Sequence, residues 1–183
     1  MVCTANQCRS PLAEHQLRHA LSAAGLDWTV ESAGFYARTG EPLDPDVSAV
    51  LSELHVPLQS GWASRRLDAS MIEWADLVLT AERMHRTAVV SVVPSAVNRT
   101  FTLLEFARTL PAEDGTGATT PAQLIRIAEA ERVYAGPARA SDDLADPINQ
   151  GRHKFRECAA QISRAVDRIV SAAAPSGART PGS

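Results

Sequence analysis

The stretch Val2-Cys3-Thr4-Ala5-Asn6-Gln7-Cys8-Arg9-Ser10-Pro11 decides how the chain is read. A cysteine is followed, after five residues, by an arginine and a serine. Pro11 then opens a segment that carries Leu12, Leu17, Ala20, Leu21 and Ala24 on roughly one helical face. Proline is well suited to a first helical turn, where its missing N–H is not needed, and Gly25 supplies the residue that closes such a helix. A short polar loop therefore runs directly into a helix N-terminus. Successive backbone N–H groups point at one spot there, and the helix dipole favours negative charge, which makes the loop an anion cradle. The same field stabilises a thiolate at Cys3 and so favours a nucleophile. Arg9 offers a planar fork of donors suited to two phosphate oxygens and to the charge of a phosphoryl-transfer transition state. Ser10 can donate a hydrogen bond to the sulfur and help it leave.

Working outward, Trp28–Ala33 is rich in β-branched and aromatic residues and ends at Gly34, which predicts a strand. Asp44-Pro45 caps a second helix with Val47, Val50, Leu51 and Leu54 on its apolar side. Ala75–Thr80 predicts another buried strand, a polar helical stretch follows from Ala81, and a short strand is expected near Thr100–Leu103. Residues 111–120 predict a loop rich in Gly, Thr and Asp. The clearest periodicity is the last: Phe155, Cys158, Ala159, Ile162, Ala165, Val166, Ile169 and Val170 form one stripe on a helix that begins near Gly151. Cys158 reads there as a small buried hydrophobe. Alternation of strands and helices predicts an α/β fold, a mainly parallel four-stranded sheet with helices on both faces and ligands at the carboxyl ends of its strands.

The 183 residues fit a single domain, expected over 1–173, with 174–183 as a disordered tail. The net charge of -3 supplies no polybasic field, so neither nucleic acid nor an anionic membrane is expected as the partner. No apolar run approaches the ~18 residues of a membrane span, and the N-terminus does not read as a signal peptide, so a cytoplasmic protein is expected. Three cysteines make no disulfide framework and lack zinc-site spacing. His15, His19, His55, His85 and His153 show no metal-ligand spacing, and none is placed as a base for Cys3. They read as structural or solvated, and Trp62 and Trp74 as packing residues. Neither a metal nor any other cofactor is expected.

The full run Cys-x-x-Asn-x-Cys-Arg-Ser-Pro-Leu-Ala-Glu resembles the phosphate-binding loop of the low-molecular-weight protein tyrosine phosphatases. The resemblance continues, in order, through Glu31–Gly34, Gly40–Pro45, Ser64–Leu67 and Asp76–Leu79, and covers most of residues 2–170. It implies a phosphatase-I-like fold and hydrolysis of a phosphate monoester, a phosphotyrosyl protein above all, through a phosphocysteine on Cys3. By the same resemblance Arg9 clamps the phosphate, and Thr4, Ala5, Asn6, Gln7, Cys8 and Ser10 complete the cradle. Asn6 would hold the loop, asparagine being tolerant of positive φ. Asp146-Pro147-Ile148 occupies the place of the family's general-acid motif, which makes Asp146 the expected acid, with Asp142 and Asp143 as near competitors. In the family a cysteine at position 8 can form a reversible disulfide with the nucleophile, and a buried packing thiol is the alternative. A tyrosine kinase of exopolysaccharide export is the partner that the resemblance suggests, a small phosphate ester the other substrate class.

Three departures accompany it. Only Met1 and Val2 precede Cys3 where the family has a full central strand, so the first strand is expected to be truncated, through a mis-assigned start or a shortened chain rather than as a functional short form, and to leave its neighbours' backbone unpaired. Ala5 replaces a usual glycine and is expected to cost the loop some backbone freedom. Ile148 replaces the aromatic that walls the substrate ring, and Tyr36 is the candidate substitute. Two rival functions remain open: an arsenate reductase of the same fold, which needs two downstream cysteines that the chain lacks between Arg9 and Cys158, and a phosphate-binding regulatory module without turnover.

Overall fold

Two residues, Val2 and Cys3, form strand β1, and they pair in parallel on both sides, with β2 (Ala33–Gly34) and with β3 (Val78–Thr80). Strand β4 (Thr100–Thr102) pairs in parallel with β3, so the sheet order is β2-β1-β3-β4. The computed structural model describes residues 1–111, 118–136 and 138–173. Seven helices surround the sheet among these residues: α1 (Arg9–Ala23), α2 (Pro45–Glu53), α3 (Ala69–Trp74), α4 (Arg83–Val92), α5 (Leu103–Thr109), α6 (Pro121–Ala135) and α7 (Arg152–Ala173). Alternate strand residues face opposite ways. Cys3, Leu79 and Phe101 accordingly join the larger core with Leu12 and Leu21 of α1, Leu51 of α2, Phe106 of α5, Leu124 of α6 and Ile162 of α7. Val2 and Val78 enter the smaller core on the other face with Ile72 of α3 and Val89 of α4. Helices thus cover both faces, as expected of a parallel sheet.

Strand lengths differ from the sequence reading. Trp28–Ala33 was expected as a strand, yet the ladder reaches only Ala33 and Gly34, and Ala75–Thr80 contracts to Val78–Thr80. The reason lies in β1, which offers two residues for pairing, so the preceding residues of its neighbours run along a cleft of about 360 Å³ bounded by Thr29–Ala33 and Ala75–Leu79. The first strand is short but anchored. The carbonyls of Met1, Val2 and Cys3 accept from the N–H groups of Ala33, Ala81 and Phe35 at 3.0, 2.8 and 3.2 Å. Cys3 is thereby fixed at the carboxyl end of an inner strand, where the chain leaves β1 for β2 on one side and returns to β3 on the other. Ligands of open parallel sheets bind at such a switch point.

Helices α3, α5 and α6 were not anticipated. Two carried a readable signal: Thr102 with Glu105, and Thr120 with Gln123, each form a reciprocal capping box. Residues 174–183, expected as a tail, and 112–117 of the expected loop lie outside the described residues. Among the described residues no helix is long and apolar enough to cross a membrane.

Gly34 ends β2 against the cradle. A Cβ placed there would stand 2.7 Å from both the Asn6 nitrogen and the Thr4 carbonyl oxygen, and 2.9 Å from the Ala5 carbonyl carbon. All three are backbone atoms, which cannot swing aside. Gly34→Ala is therefore expected to lower stability by roughly 1–3 kcal/mol, as overpacking does, and to weaken phosphate binding at the loop. Urea unfolding and a phosphate titration of the same variant check the two effects together.

Candidate active site

The residues after β1 close a turn at Asn6, which is fully buried with φ 53°. Asparagine enters this left-handed region more readily than most residues. Its side chain then uses both ends. Nδ2 donates to Ser10 Oγ at 2.9 Å and to Ser32 Oγ at 2.7 Å, while Oδ1 accepts from the Arg65 N–H at 2.8 Å. Since Ser10 Oγ already accepts from Asn6, its own hydrogen is available to Cys3 Sγ, 2.9 Å away. Ala5 is not among the residues with positive φ, so alanine does not strain this loop, contrary to the expected loss of freedom.

Behind the loop lies a buried carboxylate. Glu14 of α1 accepts from the Ser32 hydroxyl, from Trp62 Nε1 at 3.0 Å and from Arg18. Burial alone would raise its pKa, but these donors outweigh burial and hold it below the usual carboxylate range. A continuous hydrogen-bonded chain runs from Cys3 through Ser10, Asn6 and Ser32 to Glu14. Trp62, read from sequence as a packing residue, takes part as a donor.

Arg9 opens α1 with only 3% exposure. Its Nη1 donates to Glu82 Oε1 and to the Leu144 carbonyl at 3.1 Å; its Nη2 donates to Asp146 Oδ2 at 2.8 Å and to Thr4 Oγ1 at 3.4 Å. Burial opposes the charge on Arg9, but Asp146, Glu82 and Cys3 more than compensate and raise its pKa. Asp142 and Asp143 are engaged elsewhere. Asp142 pairs with Arg108 at 2.9 Å, and Asp143 pairs with Arg83 and accepts from its backbone N–H at the start of α4. Of the three aspartates that compete in the sequence, Asp146 is the one held on Arg9, and the Ile148 N–H donates to its Oδ1 at 3.3 Å.

The other expected residues divide. Thr4 and Gln7 are half-buried beside the loop, and the Gln7 carbonyl accepts from the Asp44 N–H at 3.3 Å. Cys8 is buried at the start of α1, its thiol pushed up chiefly by burial. Tyr36 is 76% exposed and Ile148 41%, and the Tyr36 N–H donates to the Thr4 carbonyl at 2.8 Å. Cys158 lies in the apolar stripe of α7, and burial pushes its thiol up to about 12. Sequence reasoning gave no role to Glu82 or to Glu14, the last residue of the run that begins at Cys3, and took His85 as structural or solvated. Glu82 stands just beyond the carboxyl end of β3, where ligands of parallel sheets gather, and that position was the signal. His85 of α4, read as structural or solvated, lies 2.9 Å from Thr4 Oγ1 through its Nε2.

The model of the low molecular weight phosphotyrosine protein phosphatases matches residues 1–116, well over half of the chain. The chain belongs to this family. A protein-arginine-phosphatase of Bacillus subtilis is 34% identical over 105 residues, which cover 57% of the chain and 69% of the relative. The low molecular weight protein-tyrosine-phosphatase Etp of Escherichia coli is 35% identical over 100 residues, 55% of the chain and 64% of the relative. Among solved structures, the low molecular weight protein tyrosine phosphatase from T. tengcongensis superposes with a TM-score of 0.71 at 26% identity, covering 92% of the chain and 94% of that structure. The resemblance on which fold and enzyme class were expected is thus shown. The chain is a cysteine-dependent phosphatase by family, and the arsenate-reductase and turnover-free alternatives are not favoured.

Glu14 gives this phosphatase a pH signature. A carboxyl held below its unfolded value contributes stability that is present above the unfolded pKa of about 4.3 and lost as pH falls through the folded one. Glu14→Gln should cost roughly 1–3 kcal/mol at pH 7, and the gap to the parent should narrow below about pH 4. Urea midpoints at the two pH values measure this.

Proposed function

We propose that Cys3, Arg9 and Asp146 hydrolyse a phosphorylated protein side chain in two steps. Support comes chiefly from the convergence of Cys3, Ser10, Arg9 and Asp146 at the end of β1, with Asp142 and Asp143 both committed to other arginines. Loop N–H groups of residues 4–9 and the Arg9 fork bind the phosphoryl oxygens. The Cys3 thiolate attacks phosphorus, the ester P–O bond breaks, and Asp146 gives its proton to the departing oxygen. Asp146, now a carboxylate, then takes a proton from water as that water attacks phosphorus. The S–P bond breaks with its electron pair returning to sulfur, where the Ser10 hydrogen meets it, and inorganic phosphate is released.

The pairing of Asp146 with Arg9 describes the resting site. An incoming phosphate dianion competes for the same Nη2. Phosphotyrosine is the substrate this reading prefers, with Tyr36 and Ile148 at the mouth to flank its ring, although neither forms a closed aromatic wall. A second reading, phosphoarginine, has the name of the Bacillus subtilis relative in its favour. A tyrosine kinase of exopolysaccharide export, in the cytoplasm, remains the partner we propose.

Cys3→Ser should abolish turnover of p-nitrophenyl phosphate while the protein still folds and binds phosphate, because only the nucleophile is lost. A burst of product from that variant would refute the assignment. Asp146→Asn should slow an alkyl phosphate by ~10²–10⁴-fold but p-nitrophenyl phosphate far less, since p-nitrophenolate departs with little need of a proton. Assays of both esters with Asp142→Asn alongside decide the acid: an equal leaving-group dependence in the two variants would remove Asp146 from the role.

A further inference from the structure

His85 is the buried titratable group beside the cradle that the mechanism does not use. It lies in the first turn of α4, 3% exposed, and stacks on Phe35 with ring centroids 6.3 Å apart and 10° between planes. Its Nε2 meets Thr4 Oγ1 at 2.9 Å, while its Nδ1 is buried with no hydrogen-bond partner among the described residues. Burial, the largest influence, holds the ring below the usual histidine value; Glu82, Asp146 and Asp143 oppose this and Arg9 reinforces it. The imidazole is therefore neutral near pH 7 and carries a single N–H.

Which nitrogen carries that hydrogen follows from the two environments. A buried N–H without an acceptor is rarer than an under-satisfied acceptor, so the hydrogen belongs on Nε2, where Thr4 Oγ1 receives it. Arg9 Nη2 points a second donor at the same oxygen from 3.4 Å. A hydroxyl oxygen has two lone pairs and one hydrogen. With both lone pairs engaged by His85 and Arg9, Thr4 has only its hydrogen left to offer. Its oxygen shares the Nη2 group of Arg9 with Asp146, on the side of the guanidinium that meets the reacting phosphate in the proposed mechanism.

We propose that His85 is a positioning residue that turns Thr4 so that its hydroxyl hydrogen faces the phosphate, and that Thr4 thereby adds a side-chain donor to the backbone cradle. The inference rests on the reading of residues 3–9 as a phosphate site. A threonine oriented the other way, donating to the ring, would present a lone pair to an anion and oppose its binding. His85 fixes the favourable sense because its other nitrogen is buried without an acceptor among the described residues, on a ring stacked against Phe35.

The test is a titration of the full-length protein with inorganic phosphate, followed by calorimetry, so that it does not depend on turnover. Thr4→Val, which keeps the side-chain shape, should weaken phosphate by about 10- to 100-fold, the range for one hydrogen bond to a charged group. His85→Phe should weaken it by a comparable factor, and in the Thr4→Val background should add little. His85→Gln, whose amide can donate from a similar place, should recover most of the affinity that His85→Phe loses. Unchanged affinity in Thr4→Val, or a His85→Phe loss equally large with and without the Thr4 hydroxyl, would overturn the proposal. Should His85→Phe fail to fold, Thr4→Val alone decides it by the first criterion. An inactive parent whose phosphate binding still depends on Thr4 would sink the catalytic reading and leave this one standing; an active parent indifferent to Thr4→Val would do the reverse.

Discussion

The site depends on one buried side chain in an uncommon backbone conformation. Asn6 turns the chain with φ 53° and then engages both amide hydrogens and its carbonyl oxygen inside the protein. A residue with positive φ and no exposure is tolerable only when its surroundings over-determine it. Here they do. Gly34 leaves room for the turn, the Arg65 backbone donates to it, and Ser10 and Ser32 each accept from it. Without that turn the N–H groups of the loop would not converge, and Arg9 would not enter α1 at the angle that brings its guanidinium to Thr4 and Asp146.

Charge is organised around a second fixed point. Arg9 is nearly inaccessible, and a buried cation without partners would cost several kcal/mol. Glu82 and the Leu144 carbonyl hold one arm of its fork, while Asp146 and Thr4 hold the other. The two arms differ in consequence. Glu82 follows β3 and is three-quarters buried, so it reads as the lasting counter-ion, whereas Asp146 is 43% exposed on a loop before α7 and can yield its place to a ligand. A permanent partner and an exchangeable one give the arginine both stability and a vacant side when substrate arrives.

Much of this was readable in the sequence because the decisive residues lie in one contiguous run. Cys3, Arg9 and the helix start are neighbours along the chain, so loop and dipole logic applied without knowledge of the fold. Asp146 was reached only through the resemblance, and two aspartates close by were equal to it on chemistry alone. What separates them is which arginine each one meets, a tertiary fact. Glu82 and the contact of His85 with Thr4 could not be read for the same reason: both reach the loop from more than 70 residues away, and neither carries a local motif. The strand boundaries failed on a different principle. Propensity marked Trp28–Ala33 as a strand, but a strand is defined by its partner, and β1 pairs only at its two residues. Helices α5 and α6 are marked in the sequence by their capping boxes, Thr102 with Glu105 and Thr120 with Gln123.

The contact between Arg9 and Asp146 spans 137 residues. During synthesis Cys3 and Arg9 emerge long before Asp146, the proton donor we propose. Bringing such distant residues together carries the loop-closure cost of a long chain, and contacts of that range form late in folding. A chain that stops short of Asp146 would therefore hold the proposed nucleophile and arginine without the proposed acid. On the proposed mechanism, enzymatic competence is in this sense a timed property: it arrives when the segment before α7 closes on Arg9.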